Sequence, residues 1–143
     1  MDSNISILLV EDDSVDIKTV KRAFKEANVT NHLDVAGNGE EALSFLRNNK
    51  NAAAQNGKRP GLIFLDLNMP VMGGIEFLKI MKNDPELKRI PVIVLTTSKE
   101  ETERVDSFNL GVAGYIIKPV DFYKFVEAVR VINLYWTLSE LPS

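Results

Sequence analysis

Five short apolar runs alternate with five amphipathic stretches, which predicts an α/β fold of three layers, a parallel sheet between helices. The first, third and fourth runs are almost unbroken Ile, Leu, Val and Phe, as strands read when both faces are buried. A length of 143 residues suits one compact domain over 1–143 rather than two.

The predicted strands are Ile5 to Val10, the weaker Leu33 to Ala36, Leu62 to Leu67, Val92 to Thr96 and Tyr115 to Ile117. Between them, Ile17, Val20, Phe24 and Ala27 share one helical face. Ala42, Leu43 and Leu46 form the second stripe, Ile75, Leu78 and Met81 the third. Val105 and Phe108 mark the fourth helix, opened by a capping box at Ser98-x-x-Glu101 and stopped at Gly111. Phe122, Phe125, Val126, Val129 and Ile132 mark the fifth, with Asp121 as its N-cap. Right-handed crossovers join such strands. Residues 48–60 are rich in Asn, Ala, Gln and Gly, carry no apolar face and read as a long loop. Trp136 to Ser143 reads as a C-terminal tail.

Composition narrows the function. Hydrophobic residues are 45% and charged residues 26%, with a net charge of -3, which gives no footprint for nucleic acid. Lys21, Arg22 and Lys25 read as a solvated helix face. There is no cysteine, so disulfides and thiolate metal sites are excluded. Met1 to Asn4 lacks the basic region and cleavage site of a signal peptide, and no apolar run approaches the roughly 18 residues that span a bilayer. A cytoplasmic protein with no membrane association is the expectation. His32, the single histidine, reads as a surface residue.

Ligands of an open parallel sheet bind beyond the carboxyl ends of its strands. Here the first run ends in Glu11-Asp12-Asp13, the third in Asp66, the fourth in Thr96-Thr97 and the fifth in Lys118-Pro119. The second ends in Gly37-Asn38-Gly39, a turn without chemistry. Carboxylates converging on one rim repel one another unless a cation neutralises them. Oxygen donors without His or Cys favour a hard cation, and magnesium is typically held by one or two carboxylates plus phosphate oxygens. Glu11 or Asp12, with Asp66 and a backbone carbonyl just after it, suit it; a calcium-loop spacing is missing. Asp66 follows four apolar residues on a central strand, where a carboxylate is expensive unless paired or metal-bound.

Over essentially its full length the chain resembles the receiver domain of two-component response regulators. The resemblance rests on Ile7-Leu8-Leu9-Val10-Glu11-Asp12-Asp13, on Leu65-Asp66-Leu67-Asn68-Met69-Pro70 with Gly74, on Pro91 to Thr96, and on Gly114 to Pro119. The stretch from Val120 to Trp136 is similar to stand-alone regulators that partner bacterial phytochromes. The resemblance implies a flavodoxin-like sheet of order 2-1-3-4-5. It implies Asp66 as phosphoacceptor, Mg2+ on Glu11, Asp12, Asp66 and the Asn68 backbone carbonyl, and Thr96 and Lys118 on the phosphoryl oxygens. It further implies Tyr115 as the aromatic that switches with Thr96, and a cis Lys118-Pro119 bond. The first acid is Glu where Asp is frequent, which bears on metal geometry. The phosphodonor would be a histidine kinase or phosphotransfer protein. The chain would be a signalling protein rather than an enzyme with a turnover substrate. An aspartate-nucleophile phosphatase is disfavoured by Asn68, which stands where those enzymes carry a second Asp. A degenerate, unphosphorylated adaptor is disfavoured by the intact acids, Thr96 and Lys118, and flavin binding by the acidic first loop.

The C-terminal region carries more apolar side chains than one packed face can cover. Tyr123, Val131 and Leu134 fall off the core stripe, and Tyr135, Trp136, Leu138 and Leu141 follow. A homodimer through the last helix and tail is the expectation.

Overall fold

The computed structural model describes residues 5–48, 59–118 and 121–139, the last five as backbone. The chain runs β1 (Ile7–Val10), α1 (Ser14–Glu26), β2 (Leu33–Ala36), α2 (Gly39–Asn48), β3 (Leu62–Asp66), α3 (Gly74–Lys82), β4 (Val92–Thr96), α4 (Lys99–Ser107), β5 (Gly114–Ile117) and α5 (Phe122–Ser139). All pairings are parallel, in the order β2-β1-β3-β4-β5.

The sheet is buried on both faces because alternate side chains feed two cores. Leu8, Val10, Ile63, Leu65, Val92 and Val94 pack with Leu43 and Leu46 of α2, Phe77, Leu78 and Met81 of α3, and Val105 of α4. Ile7, Leu9, Leu62, Phe64, Ile93 and Leu95 pack with Val20, Ala23 and Phe24 of α1 and Phe125, Val126 and Val129 of α5. Phe24 meets Phe64 edge-on at 5.3 Å between ring centroids, and Arg22 lies 4.6 Å over Phe122, tying α1 to α5.

Register levels the strand ends. Val10 pairs with Leu65, so Glu11 is level with Asp66, and Asp66 pairs with Leu95. Thr96 pairs with Ile117, one residue before Lys118. After Asp66 the chain turns tightly. The Gly74 N–H donates to the Leu67 carbonyl at 3.0 Å. A Cβ on Gly74 would lie 2.7 Å from both the Asp66 carbonyl oxygen and the Leu67 Cα. Only glycine lets α3 start this close to the end of β3. In the same loop Val71 has φ 68°, and the Met72 N–H reaches the Pro70 carbonyl at 2.8 Å. A β-branched residue in the left-handed region is strained.

Asp121 caps α5 as expected, accepting the Lys124 N–H, and Asp13 caps α1, accepting the N–H groups of Val15 and Asp16. Four expectations need correction. Phe77, missing from the expected α3 stripe, is wholly buried, whereas Ile75 is half-buried, because the inward face is Gly74, Phe77, Leu78 and Met81. Phe108 is not on a core face. It is the exposed C-cap of α4, with the Lys79 ammonium 3.7 Å from its ring centroid. The left-handed turn ending α4 falls first on Asn109, φ 52°, with Gly111 at φ 63° two residues on. The tail expected from Trp136 instead continues α5 to Ser139, since no Gly or Pro interrupts residues 122–139. The expected loop of residues 48–60 lies, for 49–58, outside the described residues.

Candidate functional site

The carboxyl ends of β1, β3, β4 and β5 bring Glu11, Asp12, Asp66, Thr96 and Lys118 to one rim. Glu11 is 1% exposed, Asp66 4% and Thr96 0%, whereas Asp12 is open to solvent. One carboxylate oxygen from each of Glu11, Asp12 and Asp66 lies within 4.8 Å of the others. Three convergent hard oxygen donors could hold a divalent cation, and the donor set fits magnesium or manganese better than a softer metal.

Lys118 enters from the end of β5. Its Nζ donates to Glu11 Oε2 at 2.7 Å and to Asp16 Oδ2 at 2.8 Å, and lies 3.7 Å from Asp66 Oδ1. One ammonium therefore serves three carboxylates. Its pKa is raised: burial lowers it, but the hydrogen bonds to Asp16 and Glu11 and the charges of Asp66 and Glu11 outweigh that. Burial is also the largest influence on the acids. It pushes Glu11 up to about 7, with the Asp66 charge adding and Lys118 opposing. Burial raises Asp66 as well, against the Lys118 charge and the Asn68 N–H.

Asn68 is exposed at the head of the β3–α3 loop. Its backbone N–H donates to Asp66 Oδ1 at 3.2 Å and its side-chain amide to Glu101 Oε1 at 3.3 Å. Thr96 donates to the same Glu101 oxygen at 2.7 Å. The Tyr115 hydroxyl donates to Asp106 Oδ1 at 2.5 Å and lies 3.4 Å from the Thr102 carbonyl, so the ring is tied to α4. Burial raises its pKa, and Asp106 raises it further. The Pro119 half of the expected cis bond lies outside the described residues. His32 pairs at 3.0 Å with Asp34, away from this rim.

Two participants were not anticipated as such. Asp16 sits in the first turn of α1, three residues after its N-cap, a position that reads as helix-dipole compensation. Glu101 was expected to close a capping box. Only half of the box forms: Ser98 Oγ accepts the Glu101 N–H at 3.2 Å, while the Glu101 carboxylate turns to Thr96, Thr97 and Asn68. Its pKa is lowered; burial raises it, but the hydrogen bonds from Thr96, Asn68 and Thr97 outweigh that.

These shifts predict a pH signature. Glu11 titrates higher in the folded chain than when unfolded, so the folded state binds more protons between pH 4.5 and about 7, and the raised pKa of Asp66 acts in the same direction. Stability therefore falls as pH rises through that window. Glu101 has the opposite sign, with stability lost only as pH falls below its ordinary value of 4.5. Urea unfolding in a chelator at pH 5, 6, 7 and 8 should show a loss of up to about 3 kcal/mol. Millimolar magnesium should reduce it. A flat or rising profile in chelator would contradict the electrostatic description of the rim.

The sequence model for the response regulator receiver domain matches residues 7–130. Response regulator Rcp1 of Synechocystis sp. is 38% identical over 130 residues, covering 91% of this chain and 87% of that protein. The phosphorylated cyanobacterial phytochrome response regulator RcpA superposes with a TM-score of 0.79 at 37% identity, over 97% of this chain and 99% of that one. The manganese-bound form of Rcp1 gives 0.77 at 36% identity over the same shares. With the sheet order, the rim of acids and these similarities in agreement, the chain belongs to the response regulator receiver domains of two-component signalling.

Proposed function

We propose that the chain, acting as one receiver domain over residues 1–143, accepts a phosphoryl group on Asp66 from a histidine kinase or phosphotransfer protein. The observation that carries this reading is Asp66 itself: a 4%-exposed carboxylate at the end of the central strand, 3.7 Å from a lysine and beside two further acids. In the proposed step an Asp66 carboxylate oxygen attacks the donor phosphorus. The phosphorus–nitrogen bond breaks and the imidazole leaves with the electron pair. Such transfer depends on positioning and charge neutralisation more than on covalent help. Lys118 supplies a cation within reach of the reacting carboxylate. Glu11, Asp12 and Asp66, with the Asn68 backbone carbonyl, would hold magnesium, whose contribution is to neutralise the phosphoryl oxygens.

The product, an acyl phosphate, carries roughly two negative charges and strong acceptor oxygens. Thr96 Oγ would donate to them, and Tyr115, whose hydroxyl is tied to α4, would report the change. The same side chains would assist the group's hydrolysis, with no separate turnover substrate. Likeness to proteins described as phytochrome response regulators supports a phytochrome-like kinase as the donor. The reading places the chain in the cytoplasm, on the side where ATP supplies the phosphoryl group, and among the described residues no helix is long and apolar enough to cross a membrane. A small phosphodonor and magnesium should add one phosphate to the intact mass. Asp66→Asn or a chelator should abolish the addition; persistence in either would overturn the assignment.

Output would pass through protein contacts, including a second copy of the chain. Tyr123, Val131 and Leu134 are exposed on α5, with Ile117 exposed at the end of the edge strand. The side chains of Tyr135, Trp136 and Leu138, and all of Leu141, lie outside the described residues. An isologous dimer would bury the exposed set twice. Sedimentation should show a dimer in the wild type and a monomer for Leu134→Glu. A wild type that stays monomeric at high micromolar concentration would remove the dimer.

A further inference from the structure

Glu101 is a capping-box acid that does not cap. A single oxygen, Oε1, takes the Thr96 hydroxyl at 2.7 Å, the Thr97 hydroxyl at 3.1 Å and the Asn68 amide at 3.3 Å. It thereby joins three parts of the rim: the end of β4, the loop after β3 and the first turn of α4. Thr96 is wholly buried, and Asn68 is in turn bound through its backbone to Asp66 at 3.2 Å. The carboxylate thus holds the side-chain donors that stand on either side of the path from Asp66 to α4.

A threonine hydroxyl has one proton to donate. In this structure that proton goes to Glu101; the other acceptor in reach, the Ser98 carbonyl, is longer at 3.3 Å. A phosphoryl group on Asp66 needs the same proton. The two anions therefore cannot both be served, and their like charges oppose close approach. Removing Glu101 from Thr96 also loosens α4, whose nine residues bury only Val105.

We infer that Glu101 is a positioning residue that keeps the Thr96 hydroxyl and the Asn68 amide from Asp66 until an anion displaces it, so that it opposes the phosphorylated form. The inference rests on Asp66 as phosphoacceptor. It gives Glu101 a sign that a purely structural contact lacks: its loss should strengthen anion binding at Asp66.

Beryllofluoride, a non-covalent phosphoryl mimic, tests it by calorimetry on the full chain in magnesium. Since a hydrogen bond to a charged group is lost before the mimic binds, Glu101→Ala should bind it roughly ten-fold more tightly. Glu101→Gln, which keeps the shape and removes the charge, should show a smaller gain. Affinity for magnesium alone should stay within about two-fold in both variants. In a Thr96→Ala background, Glu101→Ala should change beryllofluoride affinity little, because the contested proton is gone. Unchanged or weaker beryllofluoride binding in a folded Glu101→Gln protein would overturn the inference. Equal binding by wild type and Asp66→Asn, or none by wild type, would overturn the Asp66 reading beneath it instead.

Discussion

Two carboxylates buried beside a single ammonium are the constraint on which the rest of this molecule depends. Glu11 and Asp66 are nearly inaccessible, and Lys118 must serve both while also holding Asp16. Placing an ionised carboxylate in a protein interior costs several kcal/mol unless it is paired and hydrogen-bonded. Three acids on one cation leave that cost incompletely offset, and the raised carboxyl pKa values express it. A site that is under-neutralised when empty is stabilised by whatever brings positive charge. Under the proposed function, that is the electrostatic basis on which cation binding and phosphoryl acceptance would be coupled in one small rim.

The fold makes this placement possible. The central strands β1, β3 and β4 are buried along their whole length, so their ends are fixed in depth as well as register. Parallel pairing sets Glu11 level with Asp66 and carries Thr96 to the height of Ile117. Gly74 lets α3 start directly against the Asp66 carbonyl at the end of β3. The contacts that would move are at the periphery: Glu101 on Thr96, Asn68 on Glu101, Tyr115 on Asp106. The rigid part of the molecule holds the charges, and α4, which buries only Val105, is the lightly packed element beside them.

The strands and the strand-end acids were legible because a buried parallel strand has a continuous apolar signature and a polar residue ending it stands out. Asp66 after Leu62-Ile63-Phe64-Leu65 is the clearest instance. Partners set by side-chain direction were not legible. Asp16 looks like any first-turn acid until the end of β5 brings Lys118 beside it. Glu101 satisfies a capping pattern that predicts a bond to Ser98, yet its carboxylate takes the hydroxyls of Thr96 and Thr97 at the end of β4 and the amide of Asn68 from the loop after β3. Phe77 fell outside the expected α3 stripe because one turn of periodicity admits two apolar faces, and only the sheet decides which is inward. The reach of α5 to Ser139, past the expected start of a tail at Trp136, follows from the lack of a helix breaker between Phe122 and Ser139.

The claim that the rim is electrostatically under-neutralised is tested most directly by removing one buried charge without changing shape. The thermal stability of Asp66→Asn should be compared with that of the wild type at pH 8, in chelator and in magnesium. The account predicts that Asp66→Asn melts higher than the wild type in chelator, because a desolvated carboxylate has been made neutral. It also predicts that most of the magnesium stabilisation seen in the wild type disappears. An Asp66→Asn protein that melts lower in chelator, or that gains as much from magnesium as the wild type, would contradict it.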